Sequence, residues 1–334
     1  MLRKLPKIEL HCHLDGSLRV DSIIDIAKKE NIELPSFNIE EVNKLVKVQS
    51  DCTSLVEYLK KFDLPNKVMQ SKESLKRVTY ELLEDASREN IKYMEIRFAP
   101  MLHTSKGLSI DEVIESVVCG VEEAQKVYDI KANLILGCMR SMSEEDAFLV
   151  VNEGRKFLNN GVVAIDLCGP EMEGFSSRFK APIDLARSYG YRVTIHAGEA
   201  ASGINVIEAV NILGAERIGH GVRIKDLKDA YDLVKDKNIV LEMCPTSNIQ
   251  TKAVELFNEH PFYKFYKDDV RVTLNTDNRT VSDIDLTNEF DLIFNNFKLD
   301  LNDYNKIYLH TVDATFADEE TKEWLRDFII DIDK

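Results

Sequence analysis

The chain has 334 residues, 43 Lys+Arg against 58 Asp+Glu, and a formal net charge of −15. Its 44% hydrophobic and 30% charged residues are those of a globular protein, which excludes a disordered or fibrous chain, and the acidic balance argues against a nucleic-acid partner. No apolar run approaches the roughly 18 residues that span a bilayer, and the basic opening MLRKLPKIEL has no apolar segment after it, so neither a membrane span nor a secretory signal is predicted.

Eight short runs have strand character, most of them rich in Val, Ile and Leu and stopped by Gly, Pro or a polar residue. They are 7–13 (KIELHCH), 93–100 (YMEIRFAP), 132–139 (ANLILGCM), 162–169 (VVAIDLCG), 192–198 (RVTIHAG), 217–222 (RIGHGV), 239–245 (IVLEMCP) and 271–277 (RVTLNTD). Helical spacing fills the intervals. Leu75, Val78, Leu82 and Leu83 form one stripe within 71–89, and Ser109-Ile110-Asp111-Glu112 has capping-box form ahead of Val113, Ile114, Val117 and Val118. The interval 14–92 is anomalous, at 79 residues, and predicts extra helices forming a cap over one end of the sheet. The 57 residues after the eighth run predict a helix and a C-terminal helical extension. Eight strand–helix alternations predict an α/β fold closed into a (β/α)8 barrel, one domain over 1–334 with the cap inserted in 14–92. A doubly wound open sheet is the runner-up, disfavoured because no GxGxxG or Walker-type loop follows the first strand. The six cysteines (Cys12, Cys52, Cys119, Cys138, Cys168 and Cys244) form no CxxC and read as reduced, mostly buried thiols of a cytoplasmic protein, with no cysteine-based zinc site.

Of seven histidines, four stand in or at the ends of predicted strands 1, 5 and 6, where barrel enzymes place catalytic groups. His11 and His13 flank Cys12, and the period of two in a strand turns both imidazoles to one face. Taken alone, two inward histidines with hydrogen-bond partners would explain that pair. His196 ends the fifth strand and Asp277 the eighth, so in a closed barrel all four converge. Three imidazoles and one carboxylate suit a borderline divalent ion such as zinc, with a coordination position left open. Glu199, three residues beyond His196, and His220, between Gly219 and Gly221, read as proton handlers. An N-terminal helix charge is the alternative for Glu199, and a fourth ligand or structural histidine for His220. His103, His260 and His310 read as packing residues.

The ordered set HCHLDGS (11–17), IDLCGPE (165–171), TIHAGEA (194–200), RIGHGVRI (217–224), CPTSN (244–248) and TLNTDN (273–278) resembles the adenosine deaminase family of metal-dependent aminohydrolases, over about residues 7–290. The resemblance implies a (β/α)8 barrel with one zinc per chain, held by His11, His13, His196 and Asp277. It implies that Glu199 protonates purine N1 and that His220 orients the attacking water and helps to deprotonate it, with Asp277 sharing the proton transfer. His13 also falls among the substrate-facing positions, Asp15 matches the residue on a ribose hydroxyl, and the backbone N–H of Gly169 matches the group on purine N3. Residues 54–63 resemble the family's gate helix, with Leu55, Tyr58, Leu59 and Phe62 facing the ribose pocket; without the family, that stripe would read as an ordinary core face.

One departure stands at Asn278, where many members carry a second Asp, followed here by Arg279 in place of Pro. Purine N7 only accepts hydrogen bonds, so a neutral amide can serve it where a carboxylate would need a proton. The implied function is hydrolysis of adenosine, and by extension 2′-deoxyadenosine, to inosine and ammonia in purine salvage, by a cytoplasmic monomer or weak homo-oligomer whose partner is a small purine nucleoside. Relatives acting on free adenine tend to carry Glu where this chain has Asp15, and a carboxylate there would repel a 5′-phosphate. The alternatives are deamination of adenine or a modified adenosine, and a barrel hydrolase of phosphoesters, lactones or amides. The last often uses two metals bridged by a carboxylate or lysine, and no lysine reads as standing at a strand end. The unrelated zinc-deaminase pattern H-x-E…P-C-x-x-C is absent.

Overall fold

The computed structural model describes residues 2–330. Eight parallel strands follow one another in sequence order: β1 (Lys7–His13), β2 (Ile91–Phe98), β3 (Lys131–Met139), β4 (Val162–Cys168), β5 (Arg192–Ala197), β6 (Arg217–His220), β7 (Val240–Met243) and β8 (Val272–Leu274). The ring closes where Cys12 bridges Asp277, with His13 N donating to Asp277 O at 2.7 Å and Asp277 N to His11 O at 2.9 Å. The fold is a (β/α)8 barrel. Its strands are nearly continuously buried, as expected when helices cover a parallel sheet.

All eight predicted strands are present, but the last three are shorter than their apolar runs. β6 stops at His220 (φ 65°), followed by Gly221 (φ 68°), and the chain after β8 turns at Asp277 (φ 63°). A strand needs extended backbone, so these left-handed residues end it, and they are residues that the sequence marks for chemistry. β7 ends two residues before Pro245, the first residue of a short helix. Lys7 and Lys131 do stand at strand ends, contrary to the sequence reading, but at the N-terminal edge. Lys7 Nζ donates there to the carbonyls of Leu5 (2.8 Å) and Glu89 (2.6 Å), remote in role from the ligand edge.

The long interval after β1 holds helices Val20–Lys29, Ile39–Val46, Leu55–Leu59 and Asp63–Val68, then the long Lys72–Arg88 helix that packs on Ile110–Gln125. Ser71 and Ser109 cap those two long helices through capping boxes. The predicted gate helix is broken into Leu55–Leu59, a 3-10 turn at Lys60–Phe62, and Asp63–Val68, and Ser54 Oγ caps its start. At the C-terminus, Leu286–Phe297 is followed by Leu301–Ala314, which packs on both β8 and β1, and by Glu319–Arg326. Beyond Ala314 the chain seals the far end of the barrel. Phe316 lies 3.6 Å from the Arg217 guanidinium, and its N–H donates to Glu95 Oε1 at 2.6 Å. All six cysteines are free, and no described helix is long and apolar enough to cross a membrane.

Candidate metal centre and substrate pocket

The C-terminal strand edge gathers the candidate donors around one point. One atom from each of His11, His196, His220 and Asp277 lies within 4.8 Å of the others. His13 joins them, with Nε2 3.2 Å from His196 Nε2 and 3.4 Å from Asp277 Oδ1, the same distance that separates His11 Nε2 from that oxygen. Two features fit a cation in their midst. Buried His11 Nε2 has no hydrogen-bond partner. His13 and His196 also bring two Nε2 atoms together, where two lone pairs would repel unless a proton or a cation lay between them.

The rings are held from behind. His11 Nδ1 donates to Glu242 Oε2 at 2.8 Å and His196 Nδ1 to Asp166 Oδ2 at 2.8 Å, which leaves each Nε2 lone pair to face the centre. Carboxylate support of this kind fixes the tautomer and orientation of metal-binding histidines. Arg97 joins the two supports, with Nη1 3.0 Å from Asp166 and Nη2 2.7 Å from Glu242. Arg217 adds a second charge to Glu242 at 2.7 Å, and Thr194 Oγ1 donates to it at 2.9 Å. Burial would raise both carboxyls, but Arg97 and Arg217 hold Glu242 well below the usual range, and His196 and Arg97 do the same for Asp166. Gly219 makes room, since a Cβ there would stand 2.9 Å from His11 Cε1.

His220 is set apart by its partners. Its Nδ1 lies 3.0 Å from Asn248 Nδ2, Asn248 Oδ1 lies 3.2 Å from His260 Nε2, and the other ring nitrogen of His220 is 3.6 Å from Glu199 Oε2. Burial lowers His11 to about 4 and His13 well below its ordinary value, so both are neutral donors. Burial would raise Asp277, but the close approach of His11 Nε2 and the surrounding imidazoles of His220 and His13 bring it far down, and Ser247 Oγ donates to its Oδ2 at 2.6 Å. Glu199 goes the other way. Burial raises its carboxyl, opposed by His220 and aided by Asp277, and Thr251 Oγ1 donates to Oε1 at 3.0 Å. The two carboxyls are thus pushed apart in acidity, the pattern that separates an acid from a base.

The donors open into a cavity of about 280 Å³, a size that suits a small molecule. His13, Asp15, Gly169, His196, Glu199, His220, Asp277 and Asn278 all line it, as do Leu55, Tyr58, Leu59 and Phe62 from the broken gate segment. The sequence reading missed Asp63, Asn66, Ala99, Leu102, Met139 and Pro170 on the same wall. No Lys or Arg is among the described lining residues. Gly169 has φ 92°, and its carbonyl accepts from Arg140 Nη1 at 3.2 Å. Asp15 is buried with Oδ1 unpartnered, and burial pushes its carboxyl up to about 7. A carboxyl near neutrality there can both donate and accept hydrogen bonds. Asn278 lies flat on Gly16, where any Cβ would overlap its Oδ1, and Nδ2 donates to Tyr58 Oη at 2.9 Å. Tyr58 Oη is also 2.6 Å from Ser282 Oγ, so one buried phenol ties the gate segment to the β8 edge. His103 and His260 are buried, in keeping with packing roles, although His260 also reaches His220 through Asn248.

A sequence profile of the family described as adenosine deaminase matches residues 6–332. The chain belongs to the adenosine deaminase family. Among relatives in that family, adenosine deaminase from Clostridium botulinum (strain Okra / Type B1) is 58% identical over 330 residues, covering 99% of this chain and 98% of the relative. Among solved structures, adenine deaminase from Arthrobacter aurescens superposes with a TM-score of 0.91 at 25% identity, covering 97% of this chain and 98% of that one. N6-methyl-AMP deaminase from Arabidopsis thaliana gives 0.87 at 30% identity, covering 98% of this chain and 97% of that one. This adenosine deaminase family is metal-dependent, in keeping with the donor cluster.

Proposed function

We propose that the chain deaminates adenosine and 2′-deoxyadenosine to inosine or 2′-deoxyinosine and ammonia, using one zinc ion held by His11, His13, His196 and Asp277. The observation that carries the reading is one small cavity in which a cluster of metal donors faces a buried carboxyl whose acidity is suppressed. His13 is taken as the third imidazole ligand, not His220, because both ring nitrogens of His220 already face polar neighbours, Asn248 and Glu199. Borderline imidazole donors with one carboxylate favour zinc among the common divalent ions.

A bound zinc makes water a nucleophile at neutral pH. Glu199, whose carboxyl burial shifts toward the neutral form, donates its proton to purine N1 so that the ring can accept the electron pair at C6. His220 orients the attacking water, and His220 and Asp277 take its proton and pass it to the departing amine. Gly169 N–H meets N3, Asn278 serves N7, Asp15 binds a ribose hydroxyl, and Leu55, Tyr58, Leu59 and Phe62 close over the sugar. The segment 14–92 then includes the cap of a single catalytic domain spanning 1–334. The net charge of −15 and the small cavity support a small nucleoside partner over a nucleic acid, and the free cysteines suit a cytoplasmic chain away from the membrane, taken as a monomer or weak homo-oligomer.

Adenosine is preferred over AMP because the described lining offers no cation to a 5′-phosphate, and over adenine because Asp15 and the gate segment would otherwise face empty space. The ultraviolet spectra of adenosine, adenine and AMP, each incubated with the protein at equal concentration, test this. Conversion of adenosine with the other two unchanged is expected. Faster conversion of adenine would remove the roles of Asp15 and the gate, and AMP turnover equal to that of adenosine would remove the argument from the lining.

A further inference from the structure

Glu171 closes the IDLCGPE segment and has no part in the chemistry above. It lies two residues beyond Gly169 in the loop after β4, and it does not line the cavity. Its carboxylate nevertheless collects five hydrogen bonds. Oε1 accepts from Gly198 N at 2.6 Å and Asn205 Nδ2 at 2.8 Å. Oε2 accepts from Glu199 N at 2.9 Å, Ala200 N at 2.8 Å and Ala201 N at 3.0 Å. Four of the five donors are consecutive backbone N–H groups of the loop after β5, which converge on one anion as a backbone nest does. Asn205 also donates to Met172 O at 3.1 Å, so the β4 and β5 loops are tied twice.

That loop carries Glu199, and it lies between β5 and the Ile204–Asn211 helix with no regular ladder of its own. Its carbonyl side is held separately: Arg223 N donates to Gly198 O at 2.8 Å and Arg223 Nε to Glu199 O at 3.3 Å. Gly198, at φ 66°, allows the turn, and a Cβ there would stand 2.8 Å from Val206 Cγ2. The N–H side therefore depends on Glu171 alone, through charge-assisted bonds of the stronger kind.

We propose that Glu171 is a positioning residue: it fixes the backbone at Glu199, and so the place from which the Glu199 carboxyl delivers its proton, and it sets that carboxyl in register with Gly169 on the neighbouring loop. The proposal rests on the reading of Glu199 as the proton donor. An amide at position 171 turns an NH2 toward backbone N–H groups that need an acceptor, so the loop must move. A displacement of about 1 Å in a reacting group costs on the order of 10²-fold.

The test is a double-mutant cycle on the zinc-loaded enzyme, with Glu171→Gln, Glu199→Gln and the pair compared with the native chain. Glu171→Gln is expected to lower kcat by roughly 10- to 100-fold with KM moved less than about 3-fold. In the Glu199→Gln background the same change is expected to cost less than about 2-fold, because the group it positions is gone. Zinc per chain, measured on the same samples, is expected to be unchanged. An equal loss in both backgrounds, or native kcat in Glu171→Gln, would overturn the proposal. Native kcat in Glu199→Gln would instead refute the proton-donor reading, and the proposal with it. Where Glu171→Gln fails to fold, Asn205→Ser removes one of the five donors and keeps the carboxylate. It should cost kcat about 3- to 10-fold in the native background and nothing in the Glu199→Gln background, and an equal loss in both would again overturn the proposal.

Discussion

Beneath the metal donors, Glu95, Arg97, Asp166, Arg217 and Glu242 are all buried, and every carboxylate among them is paired: Glu95 with Arg217, Asp166 with Arg97, and Glu242 with both arginines. At the mouth, His11 Nε2, Asp15 Oδ1 and Asn278 Oδ1 are also buried, but no partner meets them. His220 and Asp277 there adopt left-handed backbone that the interior strands avoid. Buried polar atoms are ordinarily satisfied. Of the five side chains in the lower layer only Arg97 leaves an atom, Nε, without a partner, and their ion pairs hold the site rigid, whereas the upper layer leaves three atoms open where a ligand would supply what is missing. Polarity alone marks neither region as the site. The distinction lies in which polar atoms are left open.

The sharpest way to break the comparison is to remove an open donor. His196→Ala is expected to lose zinc and to lower kcat/KM by at least about 10³-fold while the chain stays folded, because His196 joins the barrel ladder through its backbone, which the substitution keeps. Metal analysis beside a melting curve checks this, and a variant that keeps its zinc would show that the donor set is wrongly drawn. Glu199→Gln should retain zinc and lose about 10²–10⁴-fold in kcat, the usual worth of a positioned acid.

Breaking the lower layer should look different. Arg97→Met leaves Asp166 and Glu242 without their shared cation, so it should cost roughly 3–5 kcal/mol of stability and weaken zinc binding by about 10- to 100-fold. Denaturant titration and a metal-competition assay would separate those losses. If stability fell with metal affinity untouched, the lower layer would not be setting the donors. A finer probe is Tyr58→Phe, which removes one partner of the Asn278 amide and keeps the ring. Inosine binding should weaken by about 3- to 10-fold, with binding of 7-deazainosine unchanged. Equal weakening of both would mean that Tyr58 acts only through the gate.

The smallest effect is in pH dependence. Burial lowers His103 to about 4, so the folded state binds fewer protons than the unfolded chain between pH 4 and the ordinary histidine value of 6.5. Stability should therefore rise with pH across that window and be lost as the pH falls through it. In His103→Gln that slope of melting temperature with pH should be shallower, and an unchanged slope would show that His103 is not among its sources.

Much of this was legible in the sequence. The strands could be read because β-branched runs end in Gly, Pro or polar residues, and the candidate donors because His11, His13, His196 and Asp277 fall in or just after strand ends. The ordered motifs then carried the family. The lower layer was harder. Glu95, Arg97, Asp166 and Glu242 were visible as charges inside apolar runs, a costly placement that signals pairing or function, but their partners are 25 to 145 residues away. Only closure of the barrel brings them together. Glu171 falls within the IDLCGPE segment, yet nothing in its spacing announces that four N–H groups some 27 residues on would converge on it. The gate segment read as one helix because Leu55, Tyr58, Leu59 and Phe62 keep helical spacing across a 3-10 turn at Lys60–Phe62.

The most direct test of the account is to strip the protein with a chelator and follow adenosine conversion as zinc is returned. The account predicts no turnover by the stripped protein, a linear recovery, and a break at one zinc per chain. Full turnover without metal, or recovery that continues past one equivalent, would contradict the single open donor site on which the account depends.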